Sequence, residues 1–586
     1  MSYKILPPES WRRLDKNSRK LNVYNEIFEN YKDNDIIFKV IKKDGEIKLL
    51  NKIKCKKYIE YFSNLIKKNI DLNPSRKQSK ILAIISASEE SILFMLSSLR
   101  LGTHHCICFE DLSEIAILKR IEIFKPQLIV CRSNLISKIR NVLQKYKDKS
   151  LSMIVIDINN YKEFENNSNN KSYDDYYFDS SLFTLFTSGS TGTPKAITHN
   201  VRDYLDYAKY STNYFFGINK RSTIFTAVDA GWINGHTYAF YGPLLLGAIS
   251  IINENPILIS MPELLAEYLA SLKVDCFYTS VTQLRLIKSV VKNEKRIFDF
   301  TKKEIHLERI GSCGEPLAHS VGEWASKFFS PKRLSIVNTY FQTETGGVLV
   351  APRDEDGFNK DYSCVGKPNN DLGINIASKL LSKSNLEKQG LDPNELLVCK
   401  KWKGIFKEII SDKESKYFTE EGFFRLSDIG FFDEEGYLYI GGRSDDVINV
   451  SGHRISSSEI ESVSLSFDKI IDACAVSIPD NLSGNRVILF INSSENDLKI
   501  LNNIKIELKQ KIINDLSDFH LPKEIYFFKN LPKTKSGKMM RRIMRDLVNN
   551  KSFDDSQDYS TLINMNKFLE SRNNFIKYSE NKFLIF

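Results

Sequence analysis

Residues 80 to 131 alternate between two periods. "ILAIIS" is a short apolar run of strand length, "EESILFMLSSLRLG" spaces its apolar residues like an amphipathic helix ending at Gly102, and "HHCICF" is strand-like again. The segment "LSEIAILKRIEIFKPQLIVC" repeats the helix and strand pair. Such alternation predicts βαβ units and a mostly parallel sheet, because parallel neighbours need a helical crossover. The pattern excludes all-helical and all-β folds. At 586 residues the chain is also too long for one hydrophobic core. The expected fold is α/β, a large N-terminal domain with mixed or parallel sheets sandwiched by helices, plus a small mobile α+β C-terminal domain.

The rhythm resumes at "SLFTLFTSGS" and runs to about residue 370, after an Asn- and Ser-rich stretch, 158–175, that reads as a surface loop or linker. The texture then changes at "LYIGGRSDDVINVSG", where a strand meets a Gly-Gly turn, a pair of aspartates and a new strand. That places a junction at Asp445. Beyond it, "SSSEIESVSLSF" and "LKIELKQKIINDL" are helical, while "IIDACAVSI" and "RVILFIN" are strands. The division is 1–444, 445–548 and a polar tail, 549–586.

Composition removes several function classes. The 83 basic and 73 acidic residues leave a net charge of +10, but the lysines are spread along the chain and no nucleic-acid-binding signature is present. No nucleic-acid partner is expected. Nine cysteines without a CxxC pair read as reduced and mostly buried. The N-terminal "MSYKILPPESWRRLDKNSRK" has no apolar core of a signal peptide, and "YAFYGPLLLGAISII" falls short of the roughly 20 residues that a spanning helix needs. No membrane partner is expected, and a cytoplasmic location is the default.

The chemistry is concentrated first in "LFTSGSTGTPKAITHN", residues 185–200. A Walker loop would place Gly before the lysine, whereas Pro194 precedes Lys195, so the P-loop reading fails. A Gly, Ser and Thr run can be a flexible linker, or it can wrap a polyphosphate with convergent N–H groups and hydroxyls. Extended flanks, "FTLF" and "AITHN", hold this loop at both ends and favour the second.

"TSGSTGTPKAITH" resembles the phosphate-binding signature of the AMP-forming acyl- and aryl-CoA synthetase superfamily. "GSCGEPL" (311–317), "NTYFQTETGG" (338–347), "YLYIGGRSDDVINVSGHRISSSEIES" (437–462) and "LPKTKSGKMMRR" (531–542) follow in that family's order. "DAGWINGHTYAFYGPLLLGA" (229–248) is similar to a stretch of acetyl- and propionyl-CoA synthetases. The resemblance implies ATP-dependent attack of a carboxylate on the α-phosphate, release of pyrophosphate, and displacement of AMP from the acyl-adenylate by the thiol of CoA. Neither half needs a protein nucleophile, so catalysis falls to positioning and charge neutralisation.

By that resemblance Thr187, Ser188, Gly189, Ser190, Thr191, Gly192 and Lys195 cradle the β- and γ-phosphates. Thr343 and Glu344 serve the α-phosphate, with Mg²⁺ held at Glu344 and Thr191. Gly314, Glu315 and Pro316 border the adenine near Tyr340, and Asn338, Thr339 and Gln342 complete the nucleotide site. Asp428 accepts the ribose hydroxyls with Arg443 beside it; alone, an aspartate after a strand would read as a turn or helix cap. Lys538 is the catalytic lysine, although a lone lysine in a basic run would read as a surface residue. Asp445 is the hinge about which the small domain turns between half-reactions. That turn brings Ser451 and Gly452 to the CoA channel and Arg454 to the nucleotide or the channel. A nucleotide-binding protein without catalysis would not need Lys195, Glu344, Asp428, Arg443 and Lys538 together.

The departures concern substrate and acceptor. Acetyl-CoA synthetases carry two tryptophans before "QTE", the second closing the acyl pocket; here Tyr340 and Phe341 stand there. With Trp232, Ile233, Asn234 and Cys313 as the other pocket residues, the expected substrate is an acid of about two to five carbons, with a hydroxyl or keto group accommodated. On the CoA side the usual N-terminal arginine segments are missing, and Ile513 takes an arginine's place, with Lys509 and Lys511 nearby. The acceptor is therefore CoA held differently, or the phosphopantetheine arm of a carrier protein.

Overall fold

The computed structural model describes residues 20–70, 72, 78–147, 151–157, 176–177, 179–187, 194–255, 258–291, 306–329, 335–353, 361–370, 372–410, 413–450, 453–480, 484–534, 538–549, 562 and 565–578. The 158–175 stretch lies outside them. One seven-stranded sheet runs in the order Glu408–Ile409, Lys195–Asn200, Ser181–Thr187, His104–Cys108, Lys80–Ile84, Leu128–Cys131, Ser152–Val155. Its first two pairings are antiparallel and the rest parallel. A second seven-stranded sheet runs Ser335–Asn338, Arg309–Cys313, Cys276–Ser280, Thr223–Thr226, Ile249–Asn253, Ile36–Ile41, Ile47–Asn51, parallel except for its last pairing. This is the α/β class with mixed sheets that the sequence predicts.

The helix Glu89–Arg100 begins with a capping box between Ser88 and Ser91, yet it is buried on every side rather than amphipathic. One core cluster joins its Leu93 and Leu96 to Ala83 of the first sheet and to Phe38 and Val40 of the second, so the helix lies between the two sheets. Of its two buried carboxylates, Glu89 is matched by Lys48 at 2.7 Å and Lys42 at 3.6 Å. The apolar stretch around Tyr238 forms a buried helical segment from Ile233 to Leu246 that widens to a π turn over Thr237–Tyr241. Pro243 has no N–H to give to the carbonyl of Ala239, and the Ser250 hydroxyl takes that carbonyl at 2.6 Å instead. No helix among the described residues is long and apolar enough to cross a membrane. All nine cysteines are free, and all but Cys399 are buried.

Between the second sheet and the junction lies an antiparallel four-stranded sheet, Ile374–Ile376, Glu395–Val398, Phe424–Phe432, Leu438–Arg443, which the βα rhythm does not announce. The strand passes through Gly441 and Gly442, where a turn is expected. A bulge opposite, between Ile429 and Gly430, and a φ of 113° at Gly442 absorb the irregularity.

Beyond Asp446, the hairpin Val447–Val450 with His453–Ser456 leads to the helix Ser457–Leu465, capped by Ser456 and Glu459. A three-stranded sheet, Ile470–Asp480, Gly484–Ser493, Glu524–Phe527, packs with the helix Leu498–Asp515. Part of the polar tail is helical and packs on this domain. Its helix Met565–Tyr578 sends Phe568 and Phe575 into a core shared with Phe490 and Tyr526.

Candidate active site

The strands on either side of the Gly- and Ser-rich run pair with each other antiparallel. Thr187 and Lys195 stand directly opposite each other at the ends of antiparallel strands, so the two flanks are held in register. Ser188, Gly189, Ser190, Thr191 and Gly192 lie outside the described residues. The Lys195 ammonium sits 4.9 Å from the centroid of the Tyr417 ring, a cation–π contact.

The run "NTYFQTETGG" begins where Ser335–Asn338 leaves the second sheet. Asn338 and Thr339 are expected at the nucleotide, but both are buried and their side chains are committed to the scaffold. Asn338 Nδ2 reaches the Ser363 and Cys364 carbonyls at 3.1 Å, and Thr339 Oγ1 donates to the Ser312 carbonyl at 2.6 Å. Tyr340 and Gln342 then turn one way and Phe341 the other. Tyr340 Oη and Gln342 Nε2 both donate to Asp428 Oδ2 at 2.7 Å, and Arg443 Nη1 lies 3.5 Å from Oδ1. Burial and then the Asp428 charge push the Tyr340 phenol well above its ordinary range, so it stays a donor. Ser427, just before Asp428, has a φ of 52°, a left-handed conformation worth about 1–2 kcal/mol of strain in a non-glycine residue. Its carbonyl is fastened by Ser444 Oγ at 3.1 Å.

The turn Thr343–Thr345 is held by its carbonyls. His199 Nε2 meets that of Thr343 at 2.8 Å, Phe406 N that of Glu344 at 3.0 Å, and Trp402 Nε1 that of Thr345 at 3.1 Å. Burial lowers the His199 pKa to about 4, so the ring is neutral and its Nε2 carries the proton toward the carbonyl. Gly346 follows with a φ of 72°, and a Cβ there would strike the Gly404 carbonyl. The hydroxyl of Thr343 and the carboxylate of Glu344 are thus projected from a backbone gripped by two separate segments, the His199 strand and the 402–406 stretch. None of His199, Trp402 and Phe406 stands out by sequence spacing. The signals are that His199 closes the "TSGSTGTPKAITH" run and that Trp402 is one of four tryptophans.

Lys538 comes from the small lobe. Its N–H donates to Thr534 Oγ1 at 3.1 Å, and its carbonyl accepts from Thr534 N at 2.9 Å. The residue as a whole is exposed, while charged groups of both lobes act on its amine. Desolvation there, helped by Arg443 and Arg541, lowers its pKa from the ordinary value, against the opposing pull of Asp428 and Asp446. Asp445 lies in the Ser444–Asp446 turn and Arg454 in the strand opposite Asn449. Their side chains, and Ser451 and Gly452 entirely, lie outside the described residues.

On the opposite side, Phe341 packs against two core clusters, one containing Ile233 and the other Cys313. Burial pushes the Cys313 thiol up to about 12, and its S–H donates to the Thr279 carbonyl at 3.3 Å. With that hydrogen committed, the sulfur can only accept from Asn234 Nδ2, at 3.0 Å. Asn234 Oδ1 is left buried without a partner, as is Nε1 of Trp232, whose ring packs on Phe109. Gly314 and Pro316 are exposed, while Glu315 between them pairs with Arg285.

The AMP-binding enzyme family matches residues 63–386, and the AMP-binding enzyme C-terminal domain matches residues 459–538. An acetyl-coenzyme A synthetase 2 from Candida albicans is 32% identical over 522 residues, 83% of this chain and 76% of that protein. An acetyl-coenzyme A synthetase from Helicobacter acinonychis is 29% identical over 595 residues, 93% of this chain and 86% of the other. The acetoacetyl-CoA synthetase structure from Streptomyces lividans shares the fold with a TM-score of 0.76 at 14% identity, covering 95% of this chain and 87% of its own. The chain belongs to the AMP-binding enzyme family, as an AMP-forming acyl-CoA synthetase related to the acetyl-CoA synthetases.

Proposed function

We propose that the enzyme activates a short carboxylic acid, and that its two half-reactions divide between the corners built on either side of Tyr340-Phe341-Gln342. In the first, the carboxylate attacks the α-phosphate of ATP, pyrophosphate leaves and an acyl-adenylate forms. In the second, the CoA thiol displaces AMP. The observation that carries this reading is Lys538. A small-lobe lysine lies close enough to Asp428 and Arg443 of the large lobe for their charges to act on its amine. From there it offsets the charge that develops between carboxylate and α-phosphate. Asp428 takes the ribose, its Oδ2 already fixed by Tyr340 and Gln342. Thr343 meets the α-phosphate, and Lys195 meets the phosphates at the end of its strand.

The donors suit Mg²⁺ held mainly through nucleotide oxygens and water. Glu344 offers one carboxylate from a fixed backbone, and among the described residues no cluster of three or more His, Cys, Asp or Glu side chains forms a cage of its own. Such a cation would neutralise phosphate charge. We place the lobe division at Asp445, in the short turn joining the third sheet to the small lobe.

The acid is the finer part of the proposal. Asn234 Oδ1 is a buried acceptor without a partner, and its Nδ2 is engaged with sulfur. Of the two substituents the sequence allows, it therefore suits a hydroxyl, which donates, over a keto group, which cannot.

The test is pyrophosphate release across propionate, lactate, 3-hydroxypropionate, pyruvate and acetoacetate, with and without CoA, for the native enzyme and Lys538→Ala. A short acid, a hydroxy acid foremost, should give release and an acyl-CoA product, and Lys538→Ala should abolish release while sparing thioester formation from supplied acyl-adenylate. Release without any thioester on adding CoA would point to a carrier-protein acceptor instead.

A further inference from the structure

A line of alternating charges crosses the seam between the lobes; only its first member, Glu315, belongs to the groups expected above at the nucleotide. Arg285, on the helix Val281–Val290, pairs with Glu315 Oε2 in the large lobe and lies 3.6 Å from Asp472 Oδ1 in the small one. Asp472 Oδ2 pairs in turn with Lys533. Lys533 bridges Met539, and the neighbouring Thr534 exchanges backbone and hydroxyl hydrogen bonds with Lys538. The line therefore starts at Glu315, within the Gly314-Glu315-Pro316 loop, and ends at the paired backbone that carries the lysine. Arg285, Asp472 and Lys533 are each more than nine-tenths buried. The surrounding seam is apolar, with Leu284 and Ile287 meeting Ile460 and Ile470.

Charges this deep must stay paired. The arrangement meets that condition on both sides of a movement. If the small lobe turns away, Asp472 leaves with Lys533, while Arg285 keeps Glu315. Neither lobe is left with a stranded charge, so the Arg285–Asp472 contact can break and re-form where a single buried pair could not. Glu315 and Asp472 together hold the guanidinium charged against the desolvation that opposes it.

We propose that Arg285 and Asp472 are positioning residues for the adenylation half-reaction, seating the small lobe so that Lys538 reaches the nucleotide corner. The proposal rests on the reading of Lys538 given above. The contact acts through Lys533 and the Thr534–Lys538 pairing, and it has no role once AMP is to be displaced.

The test uses the full chain carrying Asp472→Asn, Arg285→Met, Arg285→Lys or the Asp472→Asn/Arg285→Met pair. Pyrophosphate–ATP exchange and thioester formation from supplied acyl-adenylate are measured separately. Asp472→Asn and Arg285→Met should each lower kcat of exchange about 10- to 100-fold, the cost of misplacing a group by about an ångström, with thioester formation little changed. Arg285→Lys should recover most of the loss, because a cation still faces both carboxylates. The double variant should be no worse than the weaker single one, as for two ends of one contact. Equal loss in both half-reactions, or a rise in KM for ATP from Arg285→Met with Asp472→Asn silent, would overturn the proposal. Lys538→Ala run alongside separates the two levels: if it spares exchange, the underlying assignment of Lys538 fails, whatever the pair does.

Discussion

Two corners of this enzyme meet at three consecutive residues and are built on opposite terms. On the side proposed for the nucleotide, Tyr340, Gln342 and Asp428 satisfy one another, and the strained Ser427 is fastened in place. On the side proposed for the acid, Phe341 closes against apolar clusters, and Asn234 Oδ1 and Trp232 Nε1 are buried without partners. The first is a preorganised receptor whose ligand replaces little. The second holds back hydrogen-bonding capacity in a buried place, where an unmade bond costs about 1–3 kcal/mol. A corner of the first kind suits the constant half of the reaction, ATP. A corner of the second kind suits the half in which one acid must be told from another.

The largest test of this contrast is Asp428→Ala. It removes the carboxylate and leaves Tyr340 Oη and Gln342 Nε2 without the acceptor both share in a buried site. Losing two or more hydrogen bonds to a charged group, at about 1.5–3 kcal/mol each, should lower kcat/KM for ATP about 10²- to 10⁴-fold. Thermal unfolding should also move to lower temperature. An unchanged KM for ATP in the exchange assay would break the nucleotide side of the comparison.

A smaller effect should appear at Phe341, and only in the acid. Phe341→Trp reduces the room between the Ile233 and Cys313 clusters and should shift preference toward the shortest acids. A methylene in such a pocket is worth about 1–3 kcal/mol, so the ratio of kcat/KM between acids one carbon apart should change about 10-fold or more. KM for ATP should hold, because Tyr340 and Gln342 face away from Phe341. If KM for ATP moved as far as the acid ratio, the two corners would not be separable.

How much of this could be read from the sequence follows the same division. That Tyr340, Gln342, Asp428 and Arg443, the corner proposed for the nucleotide, come together is legible because they stand in contiguous runs whose order is itself informative. Asn338 and Thr339 sit in one of those runs, yet their side chains bolt the scaffold, since a motif marks a stretch of chain and not the direction of each side chain. The alternation of strands and helices carried the two large sheets. It could not carry the third, antiparallel sheet, nor the burial of Glu89–Arg100 on all sides, which depends on what the second sheet brings to its far face. The supports of the site were least legible. His199, Trp402, Arg285 and Asp472 act across more than a hundred residues of sequence, apart from Trp402, and only His199, at the end of the "TSGSTGTPKAITH" run, stands in a stretch that draws notice.

The finest cut falls on Asn234. Asn234→Leu is close to isosteric and removes the unpartnered Oδ1 together with Nδ2. Unlike the loss of Asp428, it strands nothing, because the Cys313 S–H still donates to the Thr279 carbonyl and sulfur is only a weak acceptor. Thermal stability should therefore hold or rise slightly, although the residue is buried. The activity change should be confined to acids that can donate. One neutral hydrogen bond, about 0.5–1.5 kcal/mol, predicts that preference for a hydroxy acid over the unsubstituted acid of equal length falls about 2- to 12-fold, read as a ratio of kcat/KM values. If the unsubstituted acid suffers equally, Asn234 shapes the pocket without reading the substrate. The contrast between the corners would then lie in Phe341 and the unpartnered Trp232 Nε1.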